Sequence, residues 1–364
     1  MPIKRASWPQ GRILVLEHHS RILADNPLGD PHVRSLPVWL PPQYDQPRHA
    51  QRRFPVLFDL AGFTGSGPGH VNWKNFGENV AERAARLVHE RRMAPAIVVF
   101  PDCFTALGGN QYINSSALGN YADYLTQELV PFVDRELRTL PGREHRGCFG
   151  HSSGGYGAII HGMQYPKVWG AVANHSGDAC FDFVYRNAWP ETLNVLARYA
   201  EPRRQAGPID VRELERRCAD GRDDGRVRRF LEDFWSSTKA RHVDTLMNVA
   251  MAASYDPDPA APNGFWLPFN LETGELLPAR WKNWLRHDPI NLVARHARAL
   301  KSLKALYIDC GWNDQYQIHF GTRILSKRLA EHGIKHVYEE FNDNHSGVDY
   351  RLDRSLPLLA RALS

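Results

Sequence analysis

The chain has 364 residues, 43% of them hydrophobic, and a formal net charge of +5 at pH 7. This length and composition allow a large buried core, built as one large domain or as two smaller ones. The small charge excess favours solvated basic helix faces over a nucleic-acid-binding surface. No apolar run approaches the length of a membrane span.

The cysteines and the first residues bear on the cellular compartment. Five cysteines are scattered without C-x-x-C spacing, so neither a disulfide framework nor a metal site is predicted. Residues 1–10 carry charge and proline but no apolar stretch of the kind that secretion signals contain. We therefore predict a soluble cytoplasmic protein with no metal or organic cofactor, no nucleic-acid partner and no membrane partner, and we leave homodimer formation open.

Short apolar runs that end at turn residues predict the strands. In chain order these runs lie at 12–18, 33–40, 54–60, 96–100, 146–149, 170–174, 305–309 and 336–341. Segments with helical spacing lie at 79–92, 121–137, 155–163, 211–219, 226–237, 323–331 and 351–363. Strands that alternate with helices predict an α/β fold with a mostly parallel central sheet flanked by helices.

The alternation of strands and helices stops between residues 177 and 289. Half of the chain's ten tryptophans fall in this segment: Trp189, Trp235, Trp266, Trp281 and Trp284. A long aromatic-rich insertion is typical of a cap over a pocket, and its tryptophans could also form the core of a small helical subdomain. We predict a core of residues 1–176 and 290–364 with a helical cap at 177–289.

The most informative motif is the G-x-S-x-G pentapeptide at 150–154, with Ser152 at its centre. In a nucleophile elbow, a serine sits on a sharp turn between a buried strand and a helix, and the flanking glycines permit close backbone approach. The alternative is a flexible glycine–serine loop. The apolar run before the motif and the small-residue helix start after it favour the elbow.

An elbow serine needs a base and an orienting carboxylate, each in a loop after a later strand. Asp314 lies in the loop after the strand that ends at Asp309, and His345 lies in the loop after the last strand. Asp309 competes for the acid role, but it could instead bond backbone N–H groups of its loop, and the longer reach of a loop residue favours Asp314. His319 and His151 are the alternative bases. The side chain of His151 should diverge from the neighbouring serine hydroxyl, so we expect it to shape the pocket.

The oxyanion hole is predicted to use the backbone N–H of Ser153 and a second N–H from the glycine-rich loop after Leu60. Gly62 and Phe63 are the candidates, with Phe63 preferred for the N–H and Gly62 for the pocket wall. Trp312 is expected to line the substrate pocket as well. A phosphate-binding loop is the alternative for this segment, but the Lys-Ser/Thr ending of such loops is missing.

Several segments together point to one family. They are residues 38–44, 54–62, 123–132, 150–155, 309–314 and 344–346. In these segments the chain resembles the esterase D / antigen 85 group of α/β-hydrolases, which includes S-formylglutathione hydrolases, feruloyl esterases and enterochelin-type esterases. The resemblance implies an α/β-hydrolase fold, a Ser152–Asp314–His345 triad and hydrolysis of a small-molecule carboxylic ester or thioester. The insertion is long for this group.

Two other functions stay open at this point. An acyl-enzyme on Ser152 could be captured by an alcohol or sugar instead of water, as the antigen 85 branch of the resemblance implies. A non-catalytic binding module on the same fold is the second alternative, and the intact serine, acid and histidine set disfavours it. The sequence thus predicts a serine esterase.

Overall fold

The computed structural model describes residues 7–200, 210–212, 215, 223–237 and 240–364. The strands in these ranges are β1 (Arg12–His19), β2 (Val33–Leu40), β3 (Val56–Leu60), β4 (Ile97–Val99), β5 (Asn114–Ser115), β6 (Gly119–Asn120), β7 (Arg146–His151), β8 (Ala171–His175), β9 (Ala305–Gly311) and β10 (Val337–Phe341). The helices are α1 (Val80–His89), α2 (Tyr121–Asp123), α3 (Val130–Glu136), α4 (Ser153–Gln164), α5 (Phe181–Val184), α6 (Trp189–Ala197), α7 (Arg226–Ser236), α8 (Val243–Tyr255), α9 (Pro278–Leu285), α10 (Pro289–Lys301), α11 (Ile318–Glu331) and α12 (Leu352–Leu363). A π-helical stretch, Tyr124–Leu129, joins α2 to α3.

Eight of the strands form one sheet in the order β1-β2-β4-β3-β7-β8-β9-β10. The β1–β2 and β2–β4 pairs are antiparallel, and every pair from β4 through β10 is parallel. The carboxyl ends of parallel strands share one edge, so the loops after β3, β7, β8, β9 and β10 meet there. The predicted α/β fold with a mostly parallel sheet is confirmed.

Helices cover both faces of this sheet. On one face, α1 and α12 pack against side chains that include Leu57, Phe149 and Tyr307. On the other face, α4, α10 and α11 pack against a larger apolar cluster that extends into the insertion. Every residue of β3 is buried, as expected for a central strand that is covered on both sides.

The carboxylate of Asp288 lies near the end of the segment 177–289 that was predicted to be a cap. It accepts from the backbone N–H of Ile290 at 3.2 Å and so caps the start of α10. The same carboxylate accepts from the N–H groups of Cys180 at 3.1 Å and Phe181 at 2.7 Å, near the start of the insertion. Burial raises the pKa of Asp288 to about 6. One side chain therefore links the two ends of a segment more than a hundred residues long.

Aromatic side chains form a packed cluster within the insertion. The ring centroids of Trp189 and Trp281 are 5.0 Å apart, and those of Trp281 and Trp284 are 5.5 Å apart. All three tryptophans are buried. Trp235 is half exposed, and its indole N–H donates to a backbone carbonyl of the core, that of Ala106, at 2.7 Å. The three buried tryptophans therefore belong to the apolar cluster that continues from the sheet into this segment.

The predicted elements can be compared one by one with the structure. All eight predicted strands are present, with ends shifted by up to two residues. The prediction missed the short β5–β6 hairpin and the helices α5, α6, α8, α9 and α10, and it began α11 five residues late, at 323 instead of 318. The helix predicted at 211–219 lies mostly outside the described residues.

The cysteines of the described ranges, Cys103, Cys148, Cys180 and Cys310, are buried and free, and Cys218 lies outside those ranges. Buried free cysteines act as small core residues. Among the described helices, none combines the length and apolar character needed to cross a membrane.

Candidate active site

Ser152 occupies a strained turn between β7 and α4. Its backbone angles are φ 58° and ψ −125°, a conformation that costs a non-glycine residue about 1–3 kcal/mol. Two hydrogen bonds hold the turn: the Ser152 N–H donates to the carbonyl of His175 at 2.9 Å, and the Ser152 carbonyl accepts from Tyr156 at 2.9 Å. The serine therefore precedes the first residue of a helix, where backbone N–H groups favour negative charge.

The glycines of the motif are required by close packing. A Cβ atom on Gly154 would lie 1.8 Å from the carbonyl oxygen of Leu60 in β3, and one on Gly150 would lie 2.4 Å from the same oxygen. A Cβ atom on Gly155 would lie 2.7 Å from the carbonyl oxygen of His175. Because real Cβ atoms do not approach oxygen this closely, only glycine allows α4 to pack directly on the ends of β3 and β8.

Asp314 and His345 are brought together by the loops after β9 and β10. The Nδ1–H of His345 donates to Asp314 Oδ2 at 2.7 Å, and both residues are buried. The other carboxylate oxygen, Oδ1, accepts from the backbone N–H of Tyr316 at 2.9 Å. Burial raises the pKa of Asp314, but these hydrogen bonds and the charge of His345 outweigh it and leave the pKa below its ordinary value. The carboxylate stays ionised and fixes the His345 tautomer.

The ring of His345 lies against the elbow. Its centroid is 4.4 Å from that of His151, the residue before Ser152, and 4.9 Å from that of Tyr316. Its backbone N–H donates to the side chain of Gln315 at 3.0 Å. Burial, followed by the nearby charges of His345 and His175, lowers the pKa of His151 to about 3. His151 is therefore a neutral ring packed on the imidazole of His345.

The glycine-rich loop after β3 borders the elbow on its other side. A Cβ atom on Gly62 would lie 3.2 Å from the carbonyl oxygen of His151 and 3.5 Å from Cβ of Ser152. The carbonyl of Phe63 accepts from the backbone N–H of Gly109 at 2.7 Å, and the Phe63 ring is buried. Gly62 and Phe63 thus belong to a segment that packs beside the turn at Ser152.

Sequence reasoning missed the loop at 108–112, which packs against the glycine-rich segment after β3. Gln111 donates from Nε2 to Ser153 Oγ at 2.7 Å, and the hydroxyl of Tyr112 donates to the carbonyl of Ala61 at 2.6 Å. Both side chains are buried, with exposed fractions of 1% and 2%. The loop therefore bonds to both sides of the elbow. The only signal in the sequence is the Gly108-Gly109 pair, where the backbone passes Phe63 too closely for a Cβ atom.

Asp309 does not cap its loop, and that part of the interpretation is wrong. Its Oδ1 accepts from Nδ1 of His175 at 2.7 Å, and its Oδ2 accepts from Arg351 at 2.8 Å and from the Tyr307 hydroxyl at 2.9 Å. The hydroxyl of Ser355 donates to Nε2 of His175 at 2.8 Å. Ser355, His175 and Asp309 thus form a second serine–histidine–aspartate chain, with exposed fractions of 0%, 3% and 1%. Burial of its serine leaves no room for a substrate.

Asp178 is a further carboxylate near the site that sequence reasoning missed. It lies in the loop after β8, is 5% exposed, and accepts from the hydroxyl of Tyr185 at 2.7 Å. Burial raises the pKa of Asp178 to about 6, while the positive charge of His345 acts in the opposite direction. This loop carries no strand or helix pattern that would have marked the residue.

The remaining candidates lie around this centre. His319 is buried on α11, its ring centroid lies 4.1 Å from that of Phe320 with the rings tilted, and it does not hydrogen-bond to Asp314 within the described structure. Trp312 is in the same loop as Asp314 but is 44% exposed. Among the residues that the structure describes, no group of three or more His, Cys, Asp or Glu side chains is arranged to hold a metal ion.

The strand order, the strained serine at the end of a central parallel strand and the histidine–aspartate pair beside it define an α/β-hydrolase. The chain belongs to the esterase family described as "Putative esterase", whose model matches residues 31–353. As a member of that family it is a carboxylic ester hydrolase.

Solved structures with the same fold include other esterases. A ferulic acid esterase is 18% identical, with a TM-score of 0.57 over 96% of this chain and 97% of that one. A fluorophosphonate-binding serine hydrolase of Staphylococcus aureus is 16% identical, with a TM-score of 0.54 over 96% and 98%. An S-formylglutathione hydrolase from Agrobacterium tumefaciens is 16% identical, with a TM-score of 0.54 over 98% and 96%. At these identities the likeness is one of fold.

Proposed function

We propose that the protein hydrolyses a small-molecule carboxylic ester or thioester through an acyl-enzyme on Ser152, with His345 as the base and Asp314 as the orienting acid. The observation that carries the proposal is the 2.7 Å hydrogen bond between Asp314 and Nδ1 of His345, whose ring packs on the residue before Ser152. With Nδ1 bonded to a carboxylate, Nε2 is the nitrogen free to exchange a proton with the serine hydroxyl.

In the proposed reaction, the Ser152 oxygen attacks the ester carbonyl while Nε2 of His345 takes the hydroxyl proton. The backbone N–H groups of Ser153 and Phe63 stabilise the negative oxygen of the tetrahedral intermediate. The imidazolium then donates its proton to the leaving alcohol or thiol. Water, activated by the same nitrogen, releases the carboxylic acid and restores the serine. Asp314 stabilises the imidazolium without itself taking a proton.

The packing at the elbow supports these roles. Gly62 passes close to Ser152 Cβ, and Phe63 follows it directly. Gln111 donates to the Ser153 hydroxyl, and the N–H of Gly109 donates to the carbonyl of Phe63, so one loop holds both sides of the proposed oxyanion hole. We further propose that residues 177–289 act as a cap and that Trp312, exposed in the Asp314 loop, contributes to the substrate pocket. A cytoplasmic location stays a prediction.

Replacement of Ser152 by alanine tests the proposal. We expect kcat/KM for a p-nitrophenyl ester to fall by about 10⁴-fold or more while the far-UV circular dichroism spectrum is unchanged. Ser355→Ala is the matched control, because Ser355 is the serine of the buried second chain. Retention of most activity by Ser152→Ala, or its loss only in Ser355→Ala, would contradict the assignment.

A panel of p-nitrophenyl and phenolic esters, with and without added alcohols, then measures acyl preference and the ratio of hydrolysis to acyl transfer.

A further inference from the structure

A cavity of about 250 Å³ lies behind the elbow, on the sheet face that α1 and α12 cover. Six polar side chains from five parts of the chain line it: Asp59, His70, Lys74, His151, His175 and Asp349. Val80, Phe149 and Leu352 form its apolar wall. The described residues that line it include neither Ser152 nor His345. The cavity is therefore separate from the place where the ester bond is proposed to be cleaved.

The charges that line this cavity are already paired. His70 Nδ1 donates to Asp59 Oδ2 at 2.6 Å, Lys74 forms an ion pair with Asp349, and His175 bonds to the buried carboxylate of Asp309. Burial opposes the charged form of His70, but the charge of Asp59 and its hydrogen bond outweigh burial and raise the pKa of His70. An ionic ligand would have to compete with one of these pairs, so the lining favours an uncharged one.

Some side chains that line the cavity nevertheless have hydrogen-bonding atoms without a protein partner in the described part of the chain. Nε2 of His151 is shut off from solvent and has no partner among the described residues. Because the pKa of His151 is lowered to about 3, its ring is neutral near neutral pH, with one donor and one acceptor nitrogen. The Nδ1 bond of His70 leaves its Nε2 for another partner, and Lys74 has three donors, of which Asp349 uses one. A ligand with several hydroxyl groups could bond to Nε2 of His70 and to the free donors of Lys74.

The size of the cavity limits the ligand. An apolar cavity of about 150 Å³ holds one benzene molecule. By that measure, a cavity of about 250 Å³ accommodates a molecule of up to roughly ten non-hydrogen atoms. The apolar wall would contact the carbon chain of such a molecule, while the polar side chains on the other walls bind its hydroxyls.

We propose that this cavity is a second ligand site that binds a small uncharged polyol and is distinct from the ester-cleaving centre. Its four-carbon representative, erythritol, is small enough to enter and carries a hydroxyl on every carbon. A polyol in the cavity contacts His151, and the ring of His151 packs at 4.4 Å on His345. The histidine resonances of the protein therefore report directly on occupancy.

Titration of the Ser152→Ala protein with erythritol, followed by ¹H–¹³C NMR of labelled histidines, tests the proposal. Because this protein lacks the proposed nucleophile, the result does not depend on the proposed esterase mechanism. We expect the His151 signal, assigned through His151→Gln, to shift along a one-site isotherm that approaches saturation by about 0.1 M. Sodium acetate and tetramethylammonium chloride, the ionic probes, should produce no saturable shift.

Two substitutions test whether erythritol binds in the cavity and not on the protein surface. Val348→Phe fills part of the cavity, and we expect it to lower the affinity for erythritol about tenfold. Lys74→Met removes a hydrogen-bond donor, and we expect it to lower the affinity about threefold. The matched controls are Val337→Phe and Lys327→Met, at exposed positions on β10 and α11. Near-UV circular dichroism checks the fold, and Lys74→Met alone serves if Val348→Phe does not fold. A shift that stays linear in erythritol, one that the cavity variants leave unchanged, or a saturable shift with acetate instead would overturn the proposal.

Discussion

Replacing the carboxylates of the two buried histidine–aspartate pairs should affect activity and stability in opposite ways. Asp314→Asn removes the acceptor of the 2.7 Å bond from His345, and Asp309→Asn removes the acceptor of the 2.7 Å bond from His175. The two substitutions are identical in chemistry and lie five positions apart in sequence. They therefore form a matched pair that separates a catalytic role from a structural one.

For Asp314→Asn we expect a loss of activity with a modest loss of stability. The amide favours the wrong tautomer of His345 and cannot stabilise its imidazolium, which costs about 10⁴-fold in kcat when the acid of a serine triad is replaced. The Oδ1 atom of the asparagine can still accept from the N–H of Tyr316, as Asp314 does at 2.9 Å. The free energy of unfolding should therefore fall by only about 1–2 kcal/mol.

For Asp309→Asn we expect a large loss of stability with little loss of activity. The carboxylate is 1% exposed and receives donors from His175, Arg351 and Tyr307 at 2.7 to 2.9 Å. Removing one partner of a buried ion pair costs about 3–5 kcal/mol. Here three donors lose their shared charged acceptor, although Arg351 keeps a second ion pair, with Glu339. Activity per folded molecule should stay within about threefold of the parent, since Asp309 bonds to neither Ser152 nor His345 in the described structure.

Hydrolysis of p-nitrophenyl acetate measures activity, and urea unfolding of the same preparations measures stability.

The pH dependence of the free energy of unfolding is a third measurement. Burial raises the pKa of Asp309, but His175 and Arg351 outweigh burial and lower the pKa below its ordinary value. The stabilisation is then complete above the unfolded pKa of about 4 and is lost as pH falls through the folded value. Between about pH 5 and pH 3, the parent should lose more stability than Asp309→Asn. A folded but inactive Asp309→Asn protein beside an active Asp314→Asn protein would refute this reasoning.

Three further predictions concern the elbow. Gly154→Ala should not yield soluble folded protein, because its Cβ would lie 1.8 Å from a backbone oxygen, whereas Gly77→Ala, whose Cβ meets no atom closer than 3.8 Å, should express normally. His151→Lys should lower kcat/KM at pH 7 by at least about tenfold relative to His151→Gln, because a positive charge beside His345 opposes the imidazolium; an equal effect of both variants would contradict this. Gln111→Leu should lower kcat by about tenfold with little change in KM, because the 2.7 Å bond that ties its loop to the elbow is lost; steady-state kinetics with an unchanged circular dichroism spectrum check this.

Local sequence patterns determined much of the framework. Apolar runs located every strand of the large sheet. The signal is clearest for central strands such as β3, because a strand that is buried on both faces admits few polar residues. The glycines around Ser152 indicated the turn, because only residues without a Cβ fit against Leu60 and His175. Chain order was enough to place Asp314 and His345 near each other, because the carboxyl ends of parallel strands share one edge.

Tertiary structure alone decided what the other polar residues do. Its place in the loop favoured Asp314 over Asp309 as the acid, but no local feature showed what Asp309 bonds to. Asp309 meets His175, 134 positions earlier in the chain, and His175 also meets Ser355, 180 positions later. Gln111 reaches the elbow across 42 positions. Helices α5, α6, α8 and α9 and the cavity behind His151 could not be predicted either, because their packing joins segments with no common periodicity. Hydrophobic patterning reports which residues are buried, but the identity of a buried charge's partner depends on how distant segments fold together.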